Sequence, residues 1–322
     1  MHQSSGRVGL GFSLALLTAV LWGLLPIALK WLLSSMSAAT ITWIRFVVAA
    51  VLVGLVLLAR RKIPSLRGLS KRKKLLILIA IAGLLLNYIL YLNGLFLLTA
   101  ETAQVVIKLA PFLMMLGAVY LFKERLLLWQ KIGAWLLVFG LLLFFNDRLA
   151  LLLTQFGSEG FGVLLVIVAA VAWACYALAQ KQLLMSFNSQ QIMWLIYMAG
   201  ALCFLPAAEL APVLELSAWQ WGIVVFCCLN TIVAYGAFAE ALHHWEASKV
   251  SAVLAVTPLF TILFANIIGW LFPAYLTAQQ LNLWSWLGAA LVVVGSALTA
   301  LAPQFVQYHS ARKIRKLQRD VF

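Results

Sequence analysis

The amino-acid sequence predicts an all-α integral membrane protein with ten transmembrane helices, arranged as two inverted five-helix repeats. Three observations support this prediction. Hydrophobic residues make up 65% of the 322 positions and the mean hydropathy is +1.04, far outside the range of soluble globular domains. The chain also repeats part of its own sequence. Finally, its basic residues are spread unevenly over the segments that connect the apolar stretches.

Ten apolar segments are long enough to cross a bilayer. About 20 residues at a rise of about 1.5 Å span a hydrocarbon core of about 30 Å. The segments also lack the polar stripe that helices of soluble proteins carry. The predicted spans are 10–33, 38–59, 75–98, 102–122, 129–146, 161–184, 190–207, 219–242, 248–271 and 284–302.

A duplicated unit runs through the chain, because residues recur at offsets of 151, 147 and 155 positions. Matches of leucine and alanine mean little in so apolar a chain, whereas matches of tryptophan, lysine, tyrosine and proline are informative. The pairs are Trp22 with Trp173, Lys30 with Lys181, Trp43 with Trp194, Tyr88 with Tyr235, Tyr91 with Phe238, Pro111 with Pro258, Gly133 with Gly288 and Gly140 with Gly295. Many membrane transporters are built by such duplication.

The duplication divides the chain into a first repeat, 10–146, a second repeat, 161–302, and a basic cytoplasmic tail, 303–322. Each repeat has five helices. Because this number is odd, the second repeat enters the membrane from the opposite side, and the repeats are inverted. A cleaved signal peptide is the competing interpretation of the first span. That span is too long for the apolar h-region of a signal peptide and contains half of the strongest repeat match, so we retain it as a helix.

The placement of Lys and Arg predicts the orientation. The formal net charge is +14, and 19 of the 23 basic residues fall inside if both termini are cytoplasmic, most of them in the 60–74 loop and the tail. This is the positive-inside bias of membrane proteins, and it also suits contact with anionic membrane lipids. The basic runs therefore indicate topology, and no nucleic acid partner is expected.

No motif in the sequence predicts a metal, a cofactor or an enzyme. The four cysteines lie in apolar spans, without the spacing of a disulfide framework or a metal site. GxSxG, Walker A and HExxH motifs are absent from the sequence. His243, His244 and Glu246 form the one polar cluster that a membrane enzyme could use.

Two basic residues lie deep inside apolar spans, Arg45 in the second and Lys108 in the fourth, each roughly 10 Å below the outer face. A charge near the bilayer centre costs about 2.5–3.5 kcal/mol, so such groups normally face a cavity or a partner. The structural alternatives are snorkelling to the interface and pairing of Lys108 with Glu101. Their counterparts in the second repeat, Ile196 and Ala255, are uncharged, as expected for a site specific to one substrate.

Aromatic residues and prolines at repeated positions fall near the middle of their spans. Pro111 and Pro258 each free a backbone carbonyl and bend their helix, which membrane helices tolerate beside a cavity or a neighbouring helix. We predict that both prolines act as kinks in gating. The predicted cavity is lined by Trp22, Arg45, Tyr88, Tyr91, Asn93, Lys108, Trp173 and Tyr235. The alternative, that these positions only reflect a shared ancestral fold, stays open.

Seven glycines are predicted to permit close helix packing. They are Gly83, Gly94, Gly117, Gly133, Gly140, Gly288 and Gly295.

Six short motifs occur in order along the first repeat. They are Trp22-Gly23, Trp43-x-Arg45, Tyr88-x-x-Tyr91-x-x-Gly94-Leu95, Ala110-Pro111, Lys123-Glu124-Arg125 and Gln130-x-x-Gly133-Ala134. With the ten spans and the duplication, the chain resembles the EamA-like branch of the drug/metabolite transporter superfamily over residues 10–302. The resemblance implies a bacterial inner-membrane carrier with a central cavity that exports amino acids, other small metabolites or toxic organic compounds. The second repeat departs from the pattern, with Leu271-Phe272-Pro273 where an acid matching Glu124 is expected.

These observations favour a secondary active or facilitative transporter that exports amino acids or related metabolites by alternating access, without a cofactor. Its expected partners are a small-molecule substrate and membrane lipids, and the protein is a monomer or a homodimer. Arg45 and Lys108 beside aromatic walls suit a zwitterion. Export of toxic organic compounds or drugs is the alternative, which Glu101 and Glu240 could serve. A membrane scaffold or intramembrane enzyme is the alternative of another class.

Glu240 is the one carboxylate that the sequence places within a span. Carboxylates at such a depth can carry protons, so Glu240 is a candidate for energy coupling. The structural alternative is an acid at the cytoplasmic interface, partnered by Lys249 or His243.

Overall fold

The computed structural model describes residues 7–122, 127–147, 157–244, 250, 253–273, 280–299 and 301. Every regular element within these residues is a helix. Several segments named in the sequence analysis lie outside the described residues, namely the Lys123-Glu124-Arg125 motif, Glu246, Lys249, most of the boundary stretch between the repeats and the tail 303–322.

The described residues of the first half form six helices. They are α1 (Val8–Leu32), α2 (Ala38–Ala59), α3 (Lys71–Leu97), α4 (Ala100–Val106), α5 (Leu109–Phe122) and α6 (Leu128–Phe144). Three of them begin after a hydroxyl residue whose side chain accepts the backbone N–H three positions later. These caps are Ser37, Ser70 and Thr99, at 3.3, 3.4 and 3.2 Å. Each satisfies one of the N–H groups that a helix start leaves without a partner.

The described residues of the second half contribute six more α-helices, besides the 3-10 helix Leu205–Ala207 and the short helical stretch 253–255. They are α7 (Ser158–Leu183), α8 (Ser189–Phe204), α9 (Ala211–Leu214), α10 (Ala218–His244), α11 (Thr257–Leu271) and α12 (Leu283–Thr299). At the start of α8, the Asn188 side chain accepts the Gln191 N–H and the Gln191 side chain accepts the Asn188 N–H, both at 2.9 Å. This reciprocal capping box fixes where the helix begins.

Within the part of the chain that the structure describes, six helices are long and apolar enough to cross a membrane alone, namely α1, α2, α3, α7, α8 and α10. The apolar helices α6, α11 and α12 are shorter, with 10–17 residues each. These lengths and compositions confirm an all-helical protein that crosses the membrane several times. The count of ten spans and the inverted relation of the repeats stay predictions.

Two predicted spans are interrupted. The span predicted as one helix over 102–122 is two helices, α4 and α5, separated at Ile107 and Lys108. In the span predicted over 248–271, residues 253–255 are helical, the chain turns at Val256, and α11 follows. Each interruption comes shortly before a proline, Pro111 or Pro258, whose ring lacks an N–H and clashes with the carbonyl four residues earlier. The prolines are therefore associated with breaks, which are stronger distortions than the predicted kinks.

The helices pack across the two halves of the chain. The first long helix of each half lies against the third long helix of the other half, since α1 packs on α10 and α7 packs on α3. The second long helices, α2 and α8, pack on each other. Fully buried Leu and Ile side chains, such as Ile27, Leu84 and Leu95, fill the space between them.

Paired glycines bring α6 and α12 into backbone contact. A Cβ added to Gly133 would lie 2.6 Å from the Gly295 carbonyl oxygen, and one added to Gly140 would lie 2.8 Å from the Gly288 carbonyl oxygen. Gly83 similarly approaches the backbone of Ala172 on α7 at 2.8 Å. Close packing, predicted for these glycines from the sequence, is confirmed by these distances.

Replacing Gly140 by alanine is expected to destabilise the protein by about 1–3 kcal/mol, the usual cost of overpacking. The new Cβ would meet the Val292 nitrogen at 2.7 Å, and backbone atoms cannot rotate away. Thermal unfolding of the detergent-solubilised protein should show a lower midpoint. Gly236→Ala on α10 is the matched control, because nothing lies within 4 Å of its Cβ. Equal midpoints for the two variants would contradict the close contact.

Candidate functional site

Repeated aromatic residues meet at the centre of the helix assembly. Tyr88 on α3 and Tyr235 on α10 occupy matching positions of the two repeats, and their side chains lie close enough to interact electrostatically. The Trp22 ring on α1 contacts Tyr235 edge-on at 5.3 Å and Phe238 at 5.8 Å between centroids. The structure therefore brings Trp22, Tyr88 and Tyr235 together, and we call these residues and their aromatic neighbours the central aromatic cluster.

Phe46 on α2 extends this cluster toward α8. Its ring is fully buried, 4.7 Å from Tyr88 and 5.6 Å from Tyr197. Phe46 and Tyr197 stand 151 positions apart, so this contact again joins matching positions of the two repeats. Trp173 on α7 lies half-buried at the edge of the cluster, 6.2 Å from the Tyr176 ring.

Arg45 is a buried cation beside these rings, with 3% of its surface exposed. Its Nε donates to the Thr231 hydroxyl at 3.0 Å, and its guanidinium carbon lies 4.9 Å from the centre of the Tyr88 ring. Arg45 and Cys227 border a hollow that is too narrow to hold a water molecule. No carboxylate pairs with Arg45 in the part of the chain that the structure describes. Its four other N–H groups have no hydrogen-bond acceptor among the described residues.

Lys108 lies at the break between α4 and α5 and reaches across to the second half. Its Nζ donates to the Leu254 carbonyl at 3.2 Å, and the Thr257 hydroxyl donates to the same oxygen at 2.5 Å. Leu254 is four residues before Pro258, so this carbonyl is the one that the proline leaves without a helical donor. Lys108 thus ties the break in one half to the break in the other.

A second freed carbonyl occurs in α1, which contains Pro26. Pro26 leaves the Trp22 carbonyl without its helical donor, and Gln104 Nε2 on α4 donates to that oxygen at 3.0 Å. The Thr261 hydroxyl on α11 donates to the next carbonyl, that of Gly23, at 2.8 Å. Side chains from the two interrupted spans therefore form hydrogen bonds with α1 at Trp22, which belongs to the central aromatic cluster, and at the next residue.

Some predicted site residues lie elsewhere. Asn93 is exposed and donates to the Ile89 carbonyl of its own helix at 2.8 Å. Glu240 has a side chain 59% exposed near the C-terminal end of α10, where its Oε1 lies 3.0 Å from His244 Nε2. Tyr91 is half-buried against the apolar core, and Pro111 is exposed. The structure does not group Asn93 and Glu240 with the cluster, and the coupling role of Glu240 stays a prediction.

Sequence reasoning missed several residues of this centre. Tyr197 could have been found, because it matches Phe46 at the repeat offset. Gln104 and Thr231 gave no signal, because a single polar residue in an apolar helix does not reveal which neighbour it meets. Among the described residues, no group of three His, Cys, Asp or Glu side chains is arranged to hold a metal.

Interrupted helices that meet at a buried polar and aromatic centre are typical of secondary transporters. The model of the EamA-like transporter family matches residues 9–146 and 160–301. The chain therefore belongs to the EamA-like transporter family.

Relatives along the whole chain agree with this assignment. An uncharacterized transporter of Haemophilus influenzae is 42% identical over 301 residues, which cover 93% of this chain and 97% of the relative. The uncharacterized inner membrane transporter YhbE of Escherichia coli K12 is 38% identical over 296 residues, 92% of each chain. A probable amino-acid metabolite efflux pump of the same organism is 25% identical over 299 residues, 88% of this chain and 92% of that one. These relatives and the apolar helices identify a multi-pass inner-membrane protein of the transporter type.

Proposed function

We propose that this protein exports amino acids or related zwitterionic metabolites across the inner membrane by alternating access. In this mechanism the two repeats are inverted and rock against each other, so that the central aromatic cluster faces the cytoplasm and the outside in turn. The solute moves down its own gradient or is driven by an ion gradient, and the protein acts as a carrier and not as an enzyme.

The helix packing supports the inverted relation of the repeats. A two-fold axis in the membrane plane would pair the first helix of each repeat with the third helix of the other, and α1 with α10 and α7 with α3 are such pairs. Contacts between matching residues, Tyr88 with Tyr235 and Phe46 with Tyr197, fit the same axis. A family model that matches once in each half supports the same division.

The unpaired guanidinium of Arg45 is the observation that carries the proposed substrate class. A buried charge is costly unless it is paired and hydrogen-bonded, yet Arg45 has only a hydroxyl and an aromatic ring as described partners. A carboxylate could form two parallel hydrogen bonds with the guanidinium. The nearby rings would then contact an apolar part of the same solute.

Two further observations favour an amino acid over a lipophilic cation. A carboxylate beside the aromatic cluster would favour a cation, whereas Glu240 is exposed near the end of α10. Buried Glu101 begins α4 and interacts electrostatically with Lys30. The name of the more distant E. coli relative, an amino-acid metabolite efflux pump, agrees with the proposed class.

Counterflow in proteoliposomes tests this function. The purified full chain should exchange at least one member of a panel of L-amino acids across the vesicle membrane, and protein-free vesicles should not. Lipophilic cations in the same vesicles provide the alternative panel. Flux of lipophilic cations with none for any amino acid would overturn the proposal.

The proposed direction of transport requires a defined orientation, with both termini in the cytoplasm. A cysteine at Ser65, which is exposed in the basic connection between α2 and α3, should react with an impermeant maleimide only after the membrane is permeabilised. Reaction in intact cells would show that this connection lies outside, and it would contradict the proposed orientation.

A further inference from the structure

Asn230 on α10 retains an unused acceptor in the protein interior. The residue is 2% exposed, and its Nδ2 donates to the Leu21 carbonyl on α1 at 2.7 Å. Its Oδ1 is buried and receives no hydrogen bond from the described part of the chain. Buried polar atoms are nearly always hydrogen-bonded, so an exception calls for a physical explanation.

Asn87 provides an internal comparison. It lies on α3, is 9% exposed, and its Nδ2 donates to the Ala169 carbonyl on α7 at 2.9 Å. Each asparagine therefore ties the third long helix of one half to the first long helix of the other. The orphaned side-chain atoms found among the described residues are Asn230 Oδ1 and Ser296 Oγ, and Asn87 contributes none. The contacts between helices explain why both Nδ2 groups are hydrogen-bonded. They do not explain why Asn230 Oδ1 has no hydrogen bond.

The surroundings of Asn230 match those of the proposed substrate site. The next residue, Thr231, accepts the hydrogen bond from Arg45 Nε. Leu21, which accepts from Asn230, precedes Trp22, and the Trp22 ring contacts Tyr235. The orphaned acceptor and the hydroxyl that binds Arg45 of α2 thus belong to consecutive residues of α10, and Asn230 connects this part of α10 to the residue of α1 that precedes Trp22. Ser296 has no such neighbours, because it lies on α12, which packs on α6.

We propose that Asn230 Oδ1 accepts a hydrogen bond from the ammonium group of the substrate while Arg45 holds its carboxylate, so that the site selects α-amino acids over simple carboxylic acids. This inference rests on the proposed function. The ammonium and the carboxylate of an α-amino acid are separated by one carbon atom. A site that binds both groups therefore needs a donor and an acceptor close together. An acceptor that would otherwise stay unpaired strengthens the selection, because a solute without the ammonium leaves the oxygen unsatisfied.

The test compares each transported L-amino acid with its deaminated carboxylic acid as competitors in the counterflow assay. Wild type should prefer the amino acid by about tenfold or more, the effect of one hydrogen bond to a charged group. Asn230→Ala should reduce this preference to about twofold or less while the deaminated acid still competes. Asn87→Ala is the matched control, because it loses a similar helix tie, and it should keep the preference.

Asn230→Asp is the second variant, because it keeps an acceptor oxygen of the same size. It should retain the preference for the amino acid even if the alanine variant folds poorly. The inference is overturned by an unchanged preference in Asn230→Ala, by an equal loss in Asn87→Ala, or by loss of the preference in a well-folded Asn230→Asp. Wild type that exchanges amino acids and deaminated acids equally well overturns it too, while the proposed function stands. Wild type that exchanges no amino acid contradicts the proposed function itself.

Discussion

Arg45→Gln is expected to weaken substrate binding by about 10- to 100-fold while the amount of protein in the membrane stays the same. Hydrogen bonds to charged groups contribute about 1.5–3 kcal/mol each, and about 1.4 kcal/mol corresponds to a tenfold change in affinity. Glutamine keeps a polar side chain that can reach Thr231, but it lacks the charge and the planar fork that bind a carboxylate.

Abundance should not fall, because the substitution removes an unpaired charge from the protein interior. A charge near the bilayer centre costs up to about 2.5–3.5 kcal/mol on insertion scales. The stabilisation lost over the Tyr88 ring is about 0.5–2 kcal/mol. The stabilisation gained by removing the charge is larger than the stabilisation lost over the ring, so reduced transport would report on the substrate and not on folding.

Two companion variants complete the measurement of apparent affinity in proteoliposomes. Arg45→Lys keeps the charge without the planar fork of the guanidinium, so its apparent affinity for the substrate should lie between those of wild type and the glutamine variant. Arg67→Gln removes an arginine from an exposed connection and should leave transport unchanged. Wild-type affinity in a well-expressed Arg45→Gln variant would assign Arg45 to a structural role.

The fold could be predicted to a large extent from length, apolar content and local capping chemistry, but the breaks could not. Three prolines show why. Pro26 lies inside a continuous α1, whereas Pro111 and Pro258 follow interruptions. Proline frees one carbonyl wherever it occurs, and the donor that satisfies it can come from a distant part of the chain. Gln104 supplies that donor for α1, and a sequence does not show which helices are neighbours.

The central cluster was partly predictable because duplicated positions meet across the centre. Trp22, Tyr88 and Tyr235 were identified in this way, and Tyr197 could have been added from its match with Phe46. Asn93 was predicted to line the cavity on the basis of its depth alone. It lies five residues after Tyr88, about 140° around the helix at 3.6 residues per turn, and this angle indicates a different face.

No pattern in the sequence indicates contacts between residues that are not counterparts in the two repeats. The pairing of Arg45 with Thr231 and of Lys108 with the Leu254 carbonyl depends on how the two halves dock. The sequence analysis offered Glu101 as a partner for Lys108, whereas the structure gives Lys108 a neutral carbonyl. That difference changes the expected role of the lysine from a substrate contact to a tie between helix breaks.

Lys108→Met is expected to loosen this tie and to raise the maleimide labelling rate of Cys227 by about tenfold, because a hydrogen bond from a charged group contributes about 1.5–3 kcal/mol. Methionine has a similar length and no donor. The Leu254 carbonyl keeps its bond from Thr257, so the variant does not create an unsatisfied group. The closed arrangement should therefore open more often without unfolding.

Cys227 is a suitable reporter because it is fully buried and borders the hollow beside Arg45. The labelling is measured with serine at the other cysteines, Cys175, Cys203 and Cys228. Lys131→Met is the matched control, since Lys131 is exposed on α6 and its loss should not change the labelling rate.

The outcome distinguishes the two roles of Lys108. Faster labelling without substrate indicates a tie that holds the closed state, and unchanged labelling with weaker substrate affinity indicates the vestibule cation predicted from the sequence. The tie has no counterpart in the second repeat, where Ala255 occupies the matching position. The two repeats therefore do not contribute equally to holding the closed state, and Lys108→Met should change opening toward one side of the membrane more than toward the other.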